Sequence, residues 1–108
     1  MTQLPPNIKT DKNGYMLDSD AWTSEIAEII AQCENIELSE DHWEVVKYVR
    51  QFYQDYNKSP SIRPLVKYLK TVLPEEKSNS LYLQILFPEG PAKQATKIAG
   101  LPKPARCI

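Results

Sequence analysis

The sequence predicts a mainly α fold, an orthogonal bundle of about five helices with an N-terminal β-hairpin and a semi-extended C-terminal arm. Three observations predict it. Apolar residues recur at helical spacing from Trp22 onward. Capping residues and prolines cut that pattern into short segments, and the last nine residues, Gly100-Leu101-Pro102-Lys103-Pro104-Ala105-Arg106-Cys107-Ile108, contain a glycine and two prolines that leave them no helix. At 108 residues and 42% hydrophobic, the chain is long enough for one core and too short for two. We therefore expect a single domain over residues 1–108, with a flexible arm over 100–108.

Near the N-terminus, Ile8 to Asp11 and Tyr15 to Asp18 flank Lys12-Asn13-Gly14. The Asn-Gly pair tolerates positive φ and so favours a tight hairpin turn. In the next segment Trp22, Ile26, Ile29, Ile30 and Cys33 fall on one helical face that Ser19 or Asp20 caps, which turns Cys33 toward the core as a small hydrophobe. Ser39 caps the second helix, with Glu40 and Asp41 at the positive end of its dipole. Its stripe is Trp43, Val46, Val49, Phe52, Tyr53 and Tyr56, and His42 in the first turn reads as a packing or surface histidine, because nothing nucleophilic lies near it.

A break at Asn57 to Pro60 precedes a third helix capped by Ser61, with Ile62, Leu65, Val66, Leu69 and Leu73 on one side. Pro64 falls in its first turn, where a missing N–H is tolerated. Ser80 to Phe87 reads as a short amphipathic helix through Leu81, Tyr82, Ile85 and Leu86. Pro91 opens a last helix through Ala99, and Gly100 stands where a left-handed cap is usual.

Charge is distributed unevenly. Nine acids and no lysine or arginine lie between Asp18 and Val46, whereas Lys93, Lys97, Lys103 and Arg106 follow Glu89 with no acid among them. Both runs are compatible with ordinary solvated faces; the nearness of the basic one to Cys107 gives it a second reading, as a partner-binding surface. The N-terminus has neither a basic n-region nor an apolar h-region, and no apolar run approaches membrane-spanning length, so we expect a cytoplasmic protein that uses no membrane. Two cysteines make no disulfide framework, and with the single His42 they show no metal-ligand spacing. We expect neither metal nor cofactor.

Position alone leaves Cys107 open between an accidental tail cysteine and a thiol offered to a partner. From Gly100 an extended arm reaches at most about 25 Å. The thiolate is the nucleophile; Arg106 and Lys103 favour it, and the terminal carboxylate opposes it. Such a thiol suits sulfur relay, holding a transferred sulfur as a persulfide. A rival reading takes the helix ending near Tyr56, the turn, and the helix from Ser61 as a helix-turn-helix whose Arg63, Lys67 and Lys70 contact phosphates. A net charge of -1 and a pI near 5.8 are poor for a stand-alone DNA binder. A structural subunit with an idle Cys107 is the remaining alternative.

The run Leu86-Phe87-Pro88-Glu89-Gly90-Pro91-Ala92-Lys93-Gln94-Ala95-Thr96-Lys97-Ile98-Ala99-Gly100-Leu101-Pro102-Lys103-Pro104, followed by the penultimate Cys107, resembles the DsrC/TusE family of sulfur-trafficking proteins. His42-Trp43-Glu44-Val45-Val46, Arg50-Gln51-Phe52-Tyr53, Ser59-Pro60, Ile62-Arg63 and Leu65-Val66-Lys67 extend the resemblance over nearly the whole chain. It implies a mainly helical fold with an N-terminal hairpin and a sulfurtransferase working through Cys107. The dissimilatory branch of the family carries a second arm cysteine eleven positions earlier, where this chain has Thr96. That departure counts against a partner of sulfite reductase cycling through an internal disulfide. The single-cysteine pattern instead implies a carrier that accepts sulfane sulfur from a TusBCD-like complex and passes it toward an MnmA-like thiouridylase for 2-thiolation of wobble uridine in tRNA.

Overall fold

The computed structural model describes residues 4–104 and contains five α-helices: α1 (Ser24–Cys33), α2 (Glu40–Tyr56), α3 (Ile62–Leu69), α4 (Ser80–Leu86) and α5 (Pro91–Ile98). Short 3-10 turns at Ser19–Ala21 and Glu75–Lys77 join them. The hairpin does not develop into strands. Among the described residues the N-terminal segment has one isolated antiparallel bridge, between Thr10 and Met16. Its turn is closed by a side chain, since Asp11 Oδ1 accepts from the backbone N–H groups of Asn13 and Tyr15. Only Gly14 takes positive φ there, at 92°. With no neighbouring strand to extend it, a two-stranded ribbon has little stability of its own; the segment is held instead by burial of Tyr15 and Met16.

Helix α5 is the centre of the bundle and packs against α1, α2, α3 and α4. Its composition explains this. Ala92 and Ala95 let neighbouring backbones approach, and Ile98 fills the space beneath. Facing it, α1 buries Ile26, Ala27, Ile30 and Ala31. That stripe corrects the sequence expectation for Cys33, which is exposed. Trp22 lies before α1, whose N-cap is Thr23 accepting from Ile26 N–H. A periodicity started at Trp22 is therefore out of phase with the real helix, and Ala27 and Ala31, too small to mark a stripe, define its true inner face.

The α2 N-terminus is a capping box: Ser39 Oγ accepts from His42 N–H at 3.4 Å and His42 Nδ1 accepts from Ser39 N–H at 3.1 Å. With Nδ1 accepting, Nε2 carries the proton, and it donates to Leu86 O at 2.8 Å. The ring also meets Phe87 edge-on, 5.2 Å between centroids. His42 is thus a packing residue that ties the start of α2 to the end of α4. Val45, Val46, Val49 and Phe52 form the buried face of α2, which ends at Asn57 in the left-handed conformation.

In α4 the apolar stripe also differs from expectation. Leu83 and the following Phe87 are wholly buried, whereas Leu81 and Ile85 are each 71% exposed. Leu65, Leu69, Leu83 and Ile98 are fully buried, and truncating any one to alanine costs about 2–5 kcal/mol.

Candidate functional site

The sequence singled out Cys107, Arg106, Lys103, Lys97 and Lys93. Cys107 and Arg106 lie outside the described residues. The three lysines converge. Lys93, Lys97 and Lys103 line one cleft of about 360 Å³ together with Asn13, Tyr15 and Glu34. They are not equivalent. Lys97 Nζ sits 3.2 Å from Glu34 Oε2 and 5.3 Å from the centroid of the Tyr15 ring, whereas Lys93 and Lys103 are exposed. Glu34 Oε1 also accepts from Gln94 Nε2, and Gln94 Oε1 in turn accepts from the backbone N–H of Glu89. The floor of the cleft is therefore a hydrogen-bonded chain from the end of α1 to the start of α5, with Lys93 and Lys103 exposed above it and without an ion-pair partner among the described residues.

The segment after α5 leaves through a specific joint. Gly100, at φ +73°, closes a Schellman motif in which Leu101 N–H donates to Thr96 O and Gly100 N–H to Lys97 O. The next free carbonyls of the helix end are taken by side chains from far away in sequence. Trp22 Nε1 donates to Ile98 O at 2.8 Å, Arg50 Nη1 to Ala99 O at 2.7 Å and Ser59 Oγ to Pro102 O at 2.5 Å. Leu101 and Pro104 are buried. The chain from Ile98 to Pro104 therefore lies against the body, held on three carbonyls and the two apolar side chains of Leu101 and Pro104.

Burial lowers the pKa of the Arg50 guanidinium, and the charge of Asp20 partly offsets this. A side chain at Gly100 has no room, because its Cβ would overlap the indole of Trp22 at Cδ1. Trp22, Arg50 and Ser59 were not identified as site residues from sequence. Arg50 did carry a signal, since it adjoins the buried stripe of α2 immediately after Val49, a position where a charged residue needs a partner.

The remaining candidates separate from this site. Thr96 is wholly buried in α5 and its Oγ1 has no hydrogen-bond partner among the described residues. No three His, Cys, Asp or Glu side chains gather to hold a metal ion among the described residues, and no helix there is long and apolar enough to cross a membrane. What the arrangement offers chemically is presentation: a chain segment fixed on the body up to Pro104, beside a cleft with exposed cations.

Known proteins of the same build carry this arrangement's relatives. The chain is 60% identical over 101 residues to a protein of Haemophilus influenzae named sulfurtransferase TusE homolog, and 57% identical over 101 residues to sulfurtransferase TusE of Escherichia coli. Each alignment covers 94% of this chain and 93% of the relative. Among solved structures, DsrC of Allochromatium vinosum superposes with a TM-score of 0.82 at 40% identity, covering 94% of this chain and 90% of that one. The oxidized γ-subunit of dissimilatory sulfite reductase from Archaeoglobus fulgidus, also DsrC, gives 0.79 at 39% identity, covering 94% and 92%. The family described as DsrC like protein matches residues 5–108, a span that runs through the arm and its cysteine, and this chain belongs to that family.

Proposed function

We propose that this chain is a sulfurtransferase that carries sulfane sulfur as a persulfide on Cys107. The observation that carries the reading is the identity of 57 to 60% with proteins named sulfurtransferase, over an alignment spanning 94% of the chain. Body geometry supports it: α5 hands the chain on through a fixed joint that lies next to a cleft bearing Lys93 and Lys103, and Cys107 follows Pro104 by three residues in the sequence. The Cys107 thiolate attacks the outer sulfur of a donor persulfide, forms Cys107–S–SH and releases the donor as a thiolate. An acceptor thiolate then attacks that outer sulfur, and Cys107 leaves as thiolate. One sulfur atom moves at each step with no net oxidation. Lys103 and Arg106, close to Cys107 in the sequence, favour the anionic form that attacks and leaves.

The donor in this reading is a TusBCD-like complex and the acceptor an MnmA-like thiouridylase holding tRNA, in the cytoplasm, where Cys107 stays reduced between transfers. Thr96 stands where the dissimilatory branch has its second cysteine, so that position offers no thiol for an internal disulfide. Incubation with a persulfide-generating donor is expected to add one labile sulfur, removable by a reductant, that peptide mapping assigns to Cys107. Cys107→Ser abolishes the addition. Labile sulfur on Cys33 instead, or on neither cysteine, overturns the reading.

A further inference from the structure

Helices α3 and α4 leave a groove between them that the carrier reading does not use. Its wider part, about 550 Å³, has Ile62 and Val66 as its apolar floor and Arg63, Lys67 and Lys70 around it. A second part, about 260 Å³, shares Ile62 and Ser80 with the first and continues past Gln84 and Glu89, its one acid, to Lys93 at the start of α5, so the basic character belongs to the wider part. Lys93 also lines the cleft beside residues 100–104. The groove therefore leads from α3 to the root of the arm.

We propose that this groove docks an acidic, amphipathic segment of a protein that exchanges sulfur with this chain, a proposal that rests on the carrier reading. Charge complementarity selects that occupant. Arg63, Lys67 and Lys70 are exposed, have no ion-pair partner among the described residues, and belong to a stretch from Ser61 to Leu73 with no acid. A solvated helix face ordinarily mixes both signs. The apolar part is equally one-sided. Leu81 and Ile85, exposed and four residues apart on α4, each follow a groove-lining residue, Ser80 and Gln84. Such a pair beside an apolar floor marks a contact surface for apolar anchors.

Nucleic acid fits less well. From Ile62 to Lys70, α3 has no Asn, Gln, Ser or Thr to read base edges, and an apolar floor gives phosphates nothing. Carboxylates on a partner helix find the cations, and its apolar face finds Ile62, Val66, Leu81 and Ile85. A partner seated there lies along the path to the arm.

The test measures binding of the Cys107→Ser chain to a purified TusBCD-like donor complex and, separately, to a purified MnmA-like thiouridylase. Lys67→Glu with Lys70→Glu, and independently Leu81→Ser with Ile85→Ser, alter exposed side chains, so helical content and melting serve as controls. Each pair is expected to weaken binding to one of the two proteins by at least about tenfold, the charge pair more at low salt. Unchanged affinity for both proteins, or no binding by the parent to either, overturns the proposal. So does a loss confined to free tRNA in a gel-shift assay, or a self-association of the parent that the charge pair abolishes. Polysulfide loading of Cys107 in the unsubstituted chain tests the carrier reading separately, since the binding measurements involve no thiol.

Discussion

The guanidinium of Arg50 lies over the indole of Trp22, 4.2 Å from the ring centroid, and the two side chains donate to successive carbonyls, those of Ala99 and Ile98. Neither would hold its position as well alone. The indole orients the guanidinium, and the guanidinium covers the indole while both close the end of α5. Arg50→Met leaves the Ala99 carbonyl without its donor and removes the cation from the ring. We expect a loss of about 2–3 kcal/mol in urea unfolding. Arg50→Lys should not restore it, because a point charge lacks the flat fork that stacks and donates together. Full rescue by lysine would show that only charge matters there.

Gly100→Ala is expected to be the more damaging change. It places a side chain in a left-handed conformation, at about 1–2 kcal/mol, and drives a methyl into Trp22, at a further 1–3 or so. The indole must move, so its hydrogen bond to Ile98 goes with it. A shifted tryptophan emission maximum together with a lowered urea midpoint is the expected signature; a variant with the parent's midpoint would contradict the close approach.

The lysines of the cleft should divide by partner. Lys93→Gln with Lys103→Gln removes exposed cations and is expected to slow sulfur exchange between proteins by roughly tenfold at low salt, with the difference fading as salt rises. Lys97→Gln instead breaks the contact with Glu34, whose side chain is only 21% exposed, and should lower stability by about 1–2 kcal/mol. If transfer by the double variant matches the parent across a salt series, the exposed lysines serve solubility alone.

At Thr96 the hydroxyl is buried and has no hydrogen-bond partner among the described residues, so its removal with shape conserved is expected to help. Thr96→Val should be neutral or stabilising by up to about 1–2 kcal/mol, while Thr96→Ser, which keeps the hydroxyl and deletes the methyl, should destabilise by about 1 kcal/mol. The reverse order in urea midpoints would mean that the hydroxyl has a partner in solution.

Cys33 is expected to react with a maleimide in the native protein, without denaturant, because it is exposed at the end of α1. Loading experiments on Cys107 therefore need a Cys33→Ser control, and that exposed position tolerates serine with little change in stability. Protection of Cys33 until unfolding would restore the inward face that the sequence suggested.

Five helices were legible because the markers of their ends are local. Ser39 and Pro91 open α2 and α5, Asn57 and Gly100 stand just beyond α2 and α5, and the valines of α2 mark its inner face. The errors arose where the inner face is made of alanine, as in α1, or where an apolar pair faces outward, as in α4. Arm and basic residues were legible as a cluster in sequence, and three of the lysines meet in one cleft. The joint at the arm's root was not. It depends on pairings such as Trp22 with Ile98 and Ser59 with Pro102, which no periodicity encodes.

That joint also sets the length of the tether. Because Leu101 and Pro104 are buried and the Pro102 carbonyl is held by Ser59, the chain is fixed on the body as far as Pro104, three residues before Cys107 in the sequence. Three residues span at most about 10 Å. In the carrier reading proposed above, so short a connection confines the sulfur to a small volume and so raises its effective concentration for any acceptor that reaches that volume. It also excludes an acceptor that stops a few ångströms short. Delivery then depends on how closely the two bodies fit, and the partner has to come to the sulfur.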